Sequence, residues 1–300
     1  MKKKSFNIFF TLITGIVFLS GCTKTGSDTV DPPPPSPTPI SAAVISDYPY
    51  GPGAKMKMDI YLPAGRNAST TKTLIIIHGG GWTLGDKNDL NPFIDSFKRV
   101  LPNWAIININ YPLIDIASGA HRHPAQISYI RRAVDTVKNN LTAWGISNKF
   151  GIWGVSAGGQ LALMHSYTQN ADGLIKAVAS YAGPTDLRDC WINPAGGDTR
   201  TIVINYTGIL IPNIFGPDAY DWGSPWYMMP NNAPPTIAFH GTSDVLVSVT
   251  QSRRLRDKLI QKGIVNQYHE YGGLGHDIWP ADKLSDMFNK TGAFMIANVQ

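Results

Sequence analysis

The chain has 300 residues, of which 43% are hydrophobic and 16% charged, a balance that suits one globular domain with a sizeable core. Its formal net charge of +5 falls to +2 without the three lysines of residues 1–21, so its basic character gives no reason to expect nucleic-acid binding.

The first 21 residues have the features of an export signal. Three lysines at positions 2–4 precede an apolar run that is too short for a membrane-spanning helix and that ends in "LSGC", at Cys22. This ending resembles the bacterial lipoprotein signal, which implies cleavage before Cys22 and lipid attachment to its thiol. We therefore expect a lipid anchor in the cell envelope, at the outer membrane or the cell surface. The alternative is an ordinary secretory signal with an incidental cysteine.

Residues 22–43 are polar and then proline-rich, including the run "DPPPPSPTP". Such a segment cannot bury a core, so we predict an extended tether between the anchor and the folded domain. The chain has one other cysteine, Cys190. A lipid on Cys22 would leave Cys190 without a disulfide partner, and no internal disulfide is expected.

Strand and helix patterns alternate from residue 44 to residue 300. The predicted strands are at residues 55–63, 73–79, 104–111, 149–155, 175–183, 234–244 and 266–273, and the predicted helices at 124–145, 157–164, 251–263 and 280–299. This alternation predicts an α/β domain with a doubly wound, mostly parallel sheet and helices on both faces.

One segment, residues 185–233, breaks the alternation and shows no clear period. A loop of this length in a compact domain is usually a lid, a binding loop or a disordered segment, and its many Trp and Tyr residues argue against disorder. We predict a lid or insertion with an aromatic core, some of which could instead stack on sugar rings or on a phenolic acyl group.

The stretch "GVSAGG" places Ser156 between Gly154 and Gly158, where a buried strand changes directly into a helix. Glycines two places before and after the serine relieve the crowding of this sharp turn and leave the serine exposed and strained. The alternative is a purely structural serine that caps the N-terminus of the helix.

Two further reactive residues follow later strands, Asp244 after "TIAFHGTS" and His276 in "GGLGHDIW". Parallel strands of an open sheet present their carboxyl ends to the ligand, so these residues should converge with Ser156. His276 is predicted to take the serine proton, and Asp244 to orient the imidazole. The backbone N–H groups of Gly80, Gly81 and Ala157 are the predicted oxyanion donors.

Four motifs together, "HGGGW", "GVSAGG", "HGTSD" and "GLGH", resemble the α/β-hydrolase superfamily, and within it a bacterial branch of acetyl-xylan and feruloyl esterases related to hormone-sensitive lipase. The resemblance covers roughly residues 45–298. It implies a serine carboxylesterase that acts on acetyl or feruloyl decorations of polysaccharides without a cofactor or metal, with Trp82 in substrate binding. Ser128 and Asp277 depart from the pattern expected of many members.

Other interpretations of these residues remain open. The fold could serve an arylformamidase-like amidase, which shares the "HGGxW" motif, or a non-catalytic glycan-binding lipoprotein. Asp186 or Asp277 could take the place of Asp244. The partners expected are a small-molecule or oligosaccharide ester and, through the anchor, a membrane.

Two motifs point to other chemistry but lack a required residue. "GGWTLGDK" has the glycine spacing of a phosphate loop, yet Asp86 stands where lysine is required and would repel a phosphate. His121 and His123 could bind a metal, but the sequence has no third ligand at a spacing typical of metal sites. His240 is expected to be a structural residue at the end of a strand.

Overall fold

A computed structural model describes residues 40–196, 198–213, 215–276 and 279–300. The predicted export signal, the lipidation site at Cys22, most of the tether and Asp277 lie outside these residues. Within them, eight strands form one sheet: β1 (Ala43–Pro49), β2 (Lys57–Leu62), β3 (Thr73–Ile77), β4 (Ala105–Ile109), β5 (Phe150–Val155), β6 (Ile175–Tyr181), β7 (Thr236–Gly241) and β8 (Asn266–Tyr271).

The strand order in the sheet is β1-β2-β4-β3-β5-β6-β7-β8. β2 pairs antiparallel with both β1 and β4, and every pair from β4 through to β8 is parallel. All five residues of β3 are buried, as expected for a central parallel strand that is covered on both faces. The predicted α/β fold with a mostly parallel sheet is confirmed.

The helices of the described residues are α1 (Asn91–Val100), α2 (Ala125–Asn139), α3 (Leu141–Trp144), α4 (Ala157–Thr168), α5 (Leu187–Ile192), α6 (Thr199–Thr207), α7 (Ala219–Trp222), α8 (Pro225–Met228), α9 (Thr250–Gln261) and α10 (Ala281–Asn298). A short 3-10 helix, Lys87–Leu90, precedes α1. Across the described ranges, none of these helices combines the length and the apolar character needed to cross a bilayer.

The helices divide between the two faces of the sheet. α1 and α10 pack against the side chains of Leu74 and Ile76, whereas α2, α4 and α9 share a core with Ile75 and Ile77. The alternation of β3 side chains between the faces therefore builds two separate apolar cores. Both cores reach the carboxyl ends of the parallel strands.

Two features of the structure differ in detail from the sequence prediction. The helix expected over residues 124–145 is divided into α2 and α3, because the side chain of Asn140 donates to the Thr136 carbonyl and competes there with the backbone. The described residues of the aperiodic segment 185–233 form four short helices, α5 to α8, of four to nine residues. Helices this short leave too few residues for a period to be visible in the sequence.

A buried ion pair supports the loop between β3 and α1. Lys87 is 5% exposed, and its Nζ lies 2.7 Å from Asp59 Oδ2 and 3.2 Å from Asp47 Oδ1. Burial by itself would lower the pKa of Lys87, but the hydrogen bonds to the two aspartates outweigh it and raise that pKa. The Lys87 amide and carbonyl also bond the side chains of Asn110 and Asn108, so the pair fixes this loop to the end of β4.

Replacing Lys87 with methionine is expected to lower the free energy of unfolding by about 3–5 kcal/mol, because Asp59 would be left buried without its partner. Urea denaturation measures this change. Lys98→Met is the matched control, since Lys98 forms an exposed pair with Asp95 that is expected to contribute at most about 1 kcal/mol. Equal losses in the two variants would contradict the structural role given to Lys87.

Candidate active site

Ser156 occupies the sharp turn between β5 and α4. Its φ of +55° and ψ of −123° are strained for a residue with a side chain. A Cβ on Gly154 would lie 2.1 Å from the Gly158 carbonyl oxygen, and a Cβ on Gly158 would lie 2.3 Å from the carbonyl oxygens of both Ile77 and His78. The two glycines of the motif are therefore required by close backbone contacts within the turn and with the end of β3.

The structure brings the three predicted reactive residues together. His276 Nε2 lies 2.9 Å from Ser156 Oγ, and His276 Nδ1 lies 2.7 Å from Asp244 Oδ2. These are ordinary hydrogen-bond distances, so a hydroxyl, an imidazole and a carboxylate form one continuous chain. Residues 120 positions apart meet because all three follow the carboxyl ends of parallel strands of one sheet, Ser156 after β5, Asp244 after β7 and His276 after β8.

Asp244 has a fully buried side chain. Its Oδ1 accepts hydrogen bonds from the amides of Leu246 and Val247, at 2.9 and 2.8 Å. Burial by itself would raise the pKa of Asp244, but contacts with His240 and His276 outweigh it and hold that pKa well below its ordinary value. The carboxyl group is therefore ionised and able to stabilise a positively charged imidazole.

Two of the predicted oxyanion donors, Gly80 and Gly81, lie on a tight loop beside Ser156, and the third, Ala157, is the first residue of α4. The position of a Cβ on Gly79 is 3.1 Å from Ser156 Cβ, and Gly80 has a φ of +105° with its Cβ position 2.2 Å from the Leu84 carbonyl oxygen. Among the described residues, no protein acceptor takes a hydrogen bond from the amides of Gly80, Gly81 or Ala157. Three N–H groups near Ser156 are thus left available to an anionic oxygen.

Trp82 borders the cavity and is 1% exposed. Its indole N–H donates to Gln160 Oε1 at 3.1 Å, and its rings stack on Tyr206 with centroids 4.2 Å apart. These contacts connect the loop after β3 to α4 and α6. The role of Trp82 in substrate binding stays a prediction.

A cavity of about 810 Å³ opens over Ser156. Two groups of helices contribute apolar side chains to its walls. Phe93, Leu284 and Met287 come from α1 and α10, and Cys190, Ile202 and Val203 come from α5 and α6. The predicted insertion 185–233 therefore forms one wall of the cavity. Volume and composition are those of a site for a small organic ligand.

Gln160, a buried polar residue on α4, is a site residue that the sequence analysis does not predict. Gln160 Nε2 donates to Tyr206 Oη at 3.1 Å and to the Gly223 carbonyl at 2.7 Å, while its oxygen accepts from Trp82. One amide thus connects α4, the loop after β3 and the segment 185–233. The one signal in the sequence is a single glutamine within the run "GGQLALM".

The alternative residues weighed from the sequence have other contacts. Asp186 caps α5 by accepting from the Asp189 amide, and it pairs with Arg254 at 2.5 Å. Nδ1 of His121 lies 2.8 Å from the Tyr129 hydroxyl, and that of His123 lies 3.3 Å from the Tyr206 hydroxyl. The carboxylate that meets His276 is therefore that of Asp244.

The fold defines the class of this protein, the α/β hydrolases. The profile of the BD-FAE family matches residues 58–259, and the chain belongs to that family.

The relatives of this chain include two esterases of Mycobacterium tuberculosis. Esterase LipQ is 29% identical over 76% of this chain and 56% of its own length, and Esterase LipC is 23% identical over 76% and 58%. The chain thus spans about half the length of these relatives.

Solved structures with the same fold include a bifunctional GH43-CE protein of Bacteroides eggerthii, with a TM-score of 0.71, 22% identity and coverage of 85% of this chain and 38% of that one. Another is a truncated carbohydrate esterase from gut microbiota, with a TM-score of 0.66, 21% identity and coverage of 85% and 98%.

Proposed function

We propose that the chain is a serine carboxylesterase that hydrolyses its substrate through an acyl-enzyme intermediate. The observation that carries this proposal is the hydrogen-bonded chain from Ser156 Oγ through His276 to Asp244. It is supported by membership of the BD-FAE family and by the named esterases among the relatives.

In the first half of the reaction, Ser156 Oγ attacks the ester carbonyl carbon while His276 Nε2 takes the hydroxyl proton. The carbonyl oxygen becomes an anion that the amides of Gly80, Gly81 and Ala157 are placed to stabilise. Asp244 holds the imidazole by Nδ1 and stabilises its positive charge. The C–O bond then breaks, and the alcohol leaves with the proton from His276, which gives an acyl-serine.

In the second half, His276 takes a proton from a water molecule, whose oxygen attacks the acyl carbon. A second oxyanion forms in the same place and collapses as His276 returns the proton to Ser156 Oγ. The products are a carboxylic acid and the regenerated serine. These steps use the chain's own side chains and amides alone.

We propose acetyl or feruloyl decorations of polysaccharides as the substrate. The cavity of about 810 Å³ has room for a phenolic acyl group as well as for acetyl, and its apolar walls favour burial of an aromatic ring. The similarity of the fold to a carbohydrate esterase from gut microbiota supports the same substrate class.

A panel of substrates tests both the proposed esterase activity and the proposed polysaccharide substrate. Purified protein is incubated with p-nitrophenyl esters and with acetylated and feruloylated xylan oligosaccharides, in parallel with Ser156→Ala. We expect acid release from the simple esters and from at least one oligosaccharide, and none from the variant. Cleavage of simple esters alone would reject the polysaccharide substrate, and no cleavage of any ester would reject the esterase.

Three further measurements separate the two rival functions: turnover of N-formylkynurenine, oligosaccharide binding and reaction with a fluorophosphonate. Faster turnover of N-formylkynurenine than of aryl acetates would favour an arylformamidase-like amidase. Oligosaccharide binding without any turnover, and without reaction of Ser156 with a fluorophosphonate, would favour a glycan-binding lipoprotein.

We further propose that a lipid on Cys22 anchors the protein in the cell envelope, because the segment before this cysteine resembles a lipoprotein signal. Cells expressing the full chain and fed an alkyne fatty acid are expected to label the wild-type protein and Cys190→Ala but not Cys22→Ala. Mass spectrometry of the mature N-terminus should find a modified Cys22. No label in the wild-type protein, together with an unmodified N-terminus, would instead indicate an ordinary secretory signal, and label retained in Cys22→Ala would contradict attachment at Cys22.

A further inference from the structure

A second histidine, His240, lies against the candidate catalytic carboxylate. It is the penultimate residue of β7, and both its side chain and that of Asp244 are fully buried. His240 Nε2 lies 2.8 Å from the Val247 carbonyl oxygen and 3.2 Å from Asp244 Oδ2. The other ring nitrogen, Nδ1, lies 2.7 Å from the hydroxyl of Ser252 on α9.

These contacts fix which nitrogen of His240 carries a proton. The Val247 carbonyl accepts hydrogen bonds but cannot donate them, and the same holds for the ionised carboxylate of Asp244. Nε2 therefore carries the proton and presents it to both oxygens. Nδ1 is in hydrogen-bond contact with the Ser252 hydroxyl, so each ring nitrogen has a partner.

With the contact from His240, four N–H groups surround the carboxylate of Asp244. Oδ1 of Asp244 accepts from two backbone amides, and Oδ2 accepts from His276 and lies beside the Nε2–H of His240. An ionised carboxylate offers about four lone-pair positions, so four N–H groups leave it little freedom to rotate. Oδ2 is held where His276 Nδ1 meets it.

We propose that His240 is a positioning residue for ester hydrolysis, which acts through Asp244 by holding Oδ2 toward His276 and by keeping the carboxylate anionic. This inference rests on the proposed function. His240 is not among the residues that line the cavity, so it contacts no substrate there. Its loss should therefore change the chemical step and leave substrate binding unchanged.

The test compares His240→Leu, which removes both ring nitrogens, with His240→Gln, which keeps an amide N–H near the position of Nε2. For His240→Leu we expect kcat on a p-nitrophenyl ester to fall by about 10- to 100-fold, the range for loss of a hydrogen bond to a charged group. KM should stay within about threefold. His240→Gln should recover most of the lost kcat. A general structural defect would affect both variants alike.

A spectroscopic measurement tests the inference without turnover. The proton shared by His276 Nδ1 and Asp244 should give a far-downfield NMR resonance in the wild-type protein. It should persist in His240→Gln and shift or broaden in His240→Leu. Because this signal does not depend on any substrate, it separates a wrong role for His240 from a wrong assignment of the enzyme's activity.

Two results would overturn the inference: kcat of His240→Leu within about threefold of wild type, or a loss of kcat in His240→Leu that His240→Gln does not reduce. Should His240→Leu fail to fold, Ser252→Ala takes its place, because it removes the hydroxyl that holds Nδ1. A several-fold lower kcat at unchanged KM then supports the role of His240, and an unchanged kcat contradicts it.

Discussion

Replacing Asp244 with asparagine is expected to lower kcat by about 10⁴-fold and to change KM little. An amide in this place favours the wrong imidazole tautomer and cannot stabilise the positive charge that His276 acquires during attack. The backbone contacts around Oδ1 can remain, so the fold should persist. Steady-state kinetics on a p-nitrophenyl ester, with circular dichroism of the variant, measure the effect.

Asp186→Asn is the matched control for this prediction. Asp186 is one of the two alternative carboxylates in the sequence, and in the structure it caps α5 and pairs with Arg254. Its replacement should leave kcat within a few-fold of wild type. A larger loss in Asp186→Asn than in Asp244→Asn would mean that the carboxylate serving His276 has been assigned to the wrong residue.

Replacing Gly158 with alanine is expected to lower the free energy of unfolding by about 3 kcal/mol and kcat by at least about 100-fold. The new Cβ would lie 2.3 Å from the backbone oxygens of Ile77 and His78, and backbone atoms cannot rotate away as a side chain can. The start of α4 would have to shift, and a displacement of about 1 Å at a nucleophile costs on the order of 100-fold in rate. Urea denaturation and kinetics measure the two effects.

Gly272→Ala provides the control for the added methyl group. A Cβ on Gly272 would meet no atom within 4 Å, and its backbone is not in the left-handed region. Stability and kcat should both stay close to wild type. If Gly158→Ala were equally harmless, the close approach of α4 to the end of β3 would be wrong.

The sheet and the reactive residues can be predicted because their signals are local. A buried strand that changes period at Ser156 defines the turn, and strand-end placement suffices to bring Asp244 and His276 near it. No local sequence pattern indicates which side chains form hydrogen bonds between distant helices, strands and loops. The motif of Trp82 predicts a substrate contact, whereas the partners of this side chain, Gln160 and Tyr206, come from distant segments.

The remaining differences have the same cause. The sequence predicts a structural role for His240, and its contact with Asp244 exists only because the loop after β7 folds back on the strand. The segment 185–233 shows no period because its helices are short and are joined by buried polar contacts, such as those of Gln160. Long-range hydrogen bonds of this kind leave no repeat in the sequence.

The central claim is that the hydroxyl of Ser156 is the nucleophile, and trapping it covalently tests the claim most directly. The purified protein is treated with a fluorophosphonate, digested and analysed by mass spectrometry, beside Ser156→Ala and the wild-type protein unfolded in urea. The account predicts one adduct, on Ser156, in the folded wild-type protein and none in the other two samples. An adduct on another residue, or equal labelling of Ser156→Ala, would contradict it.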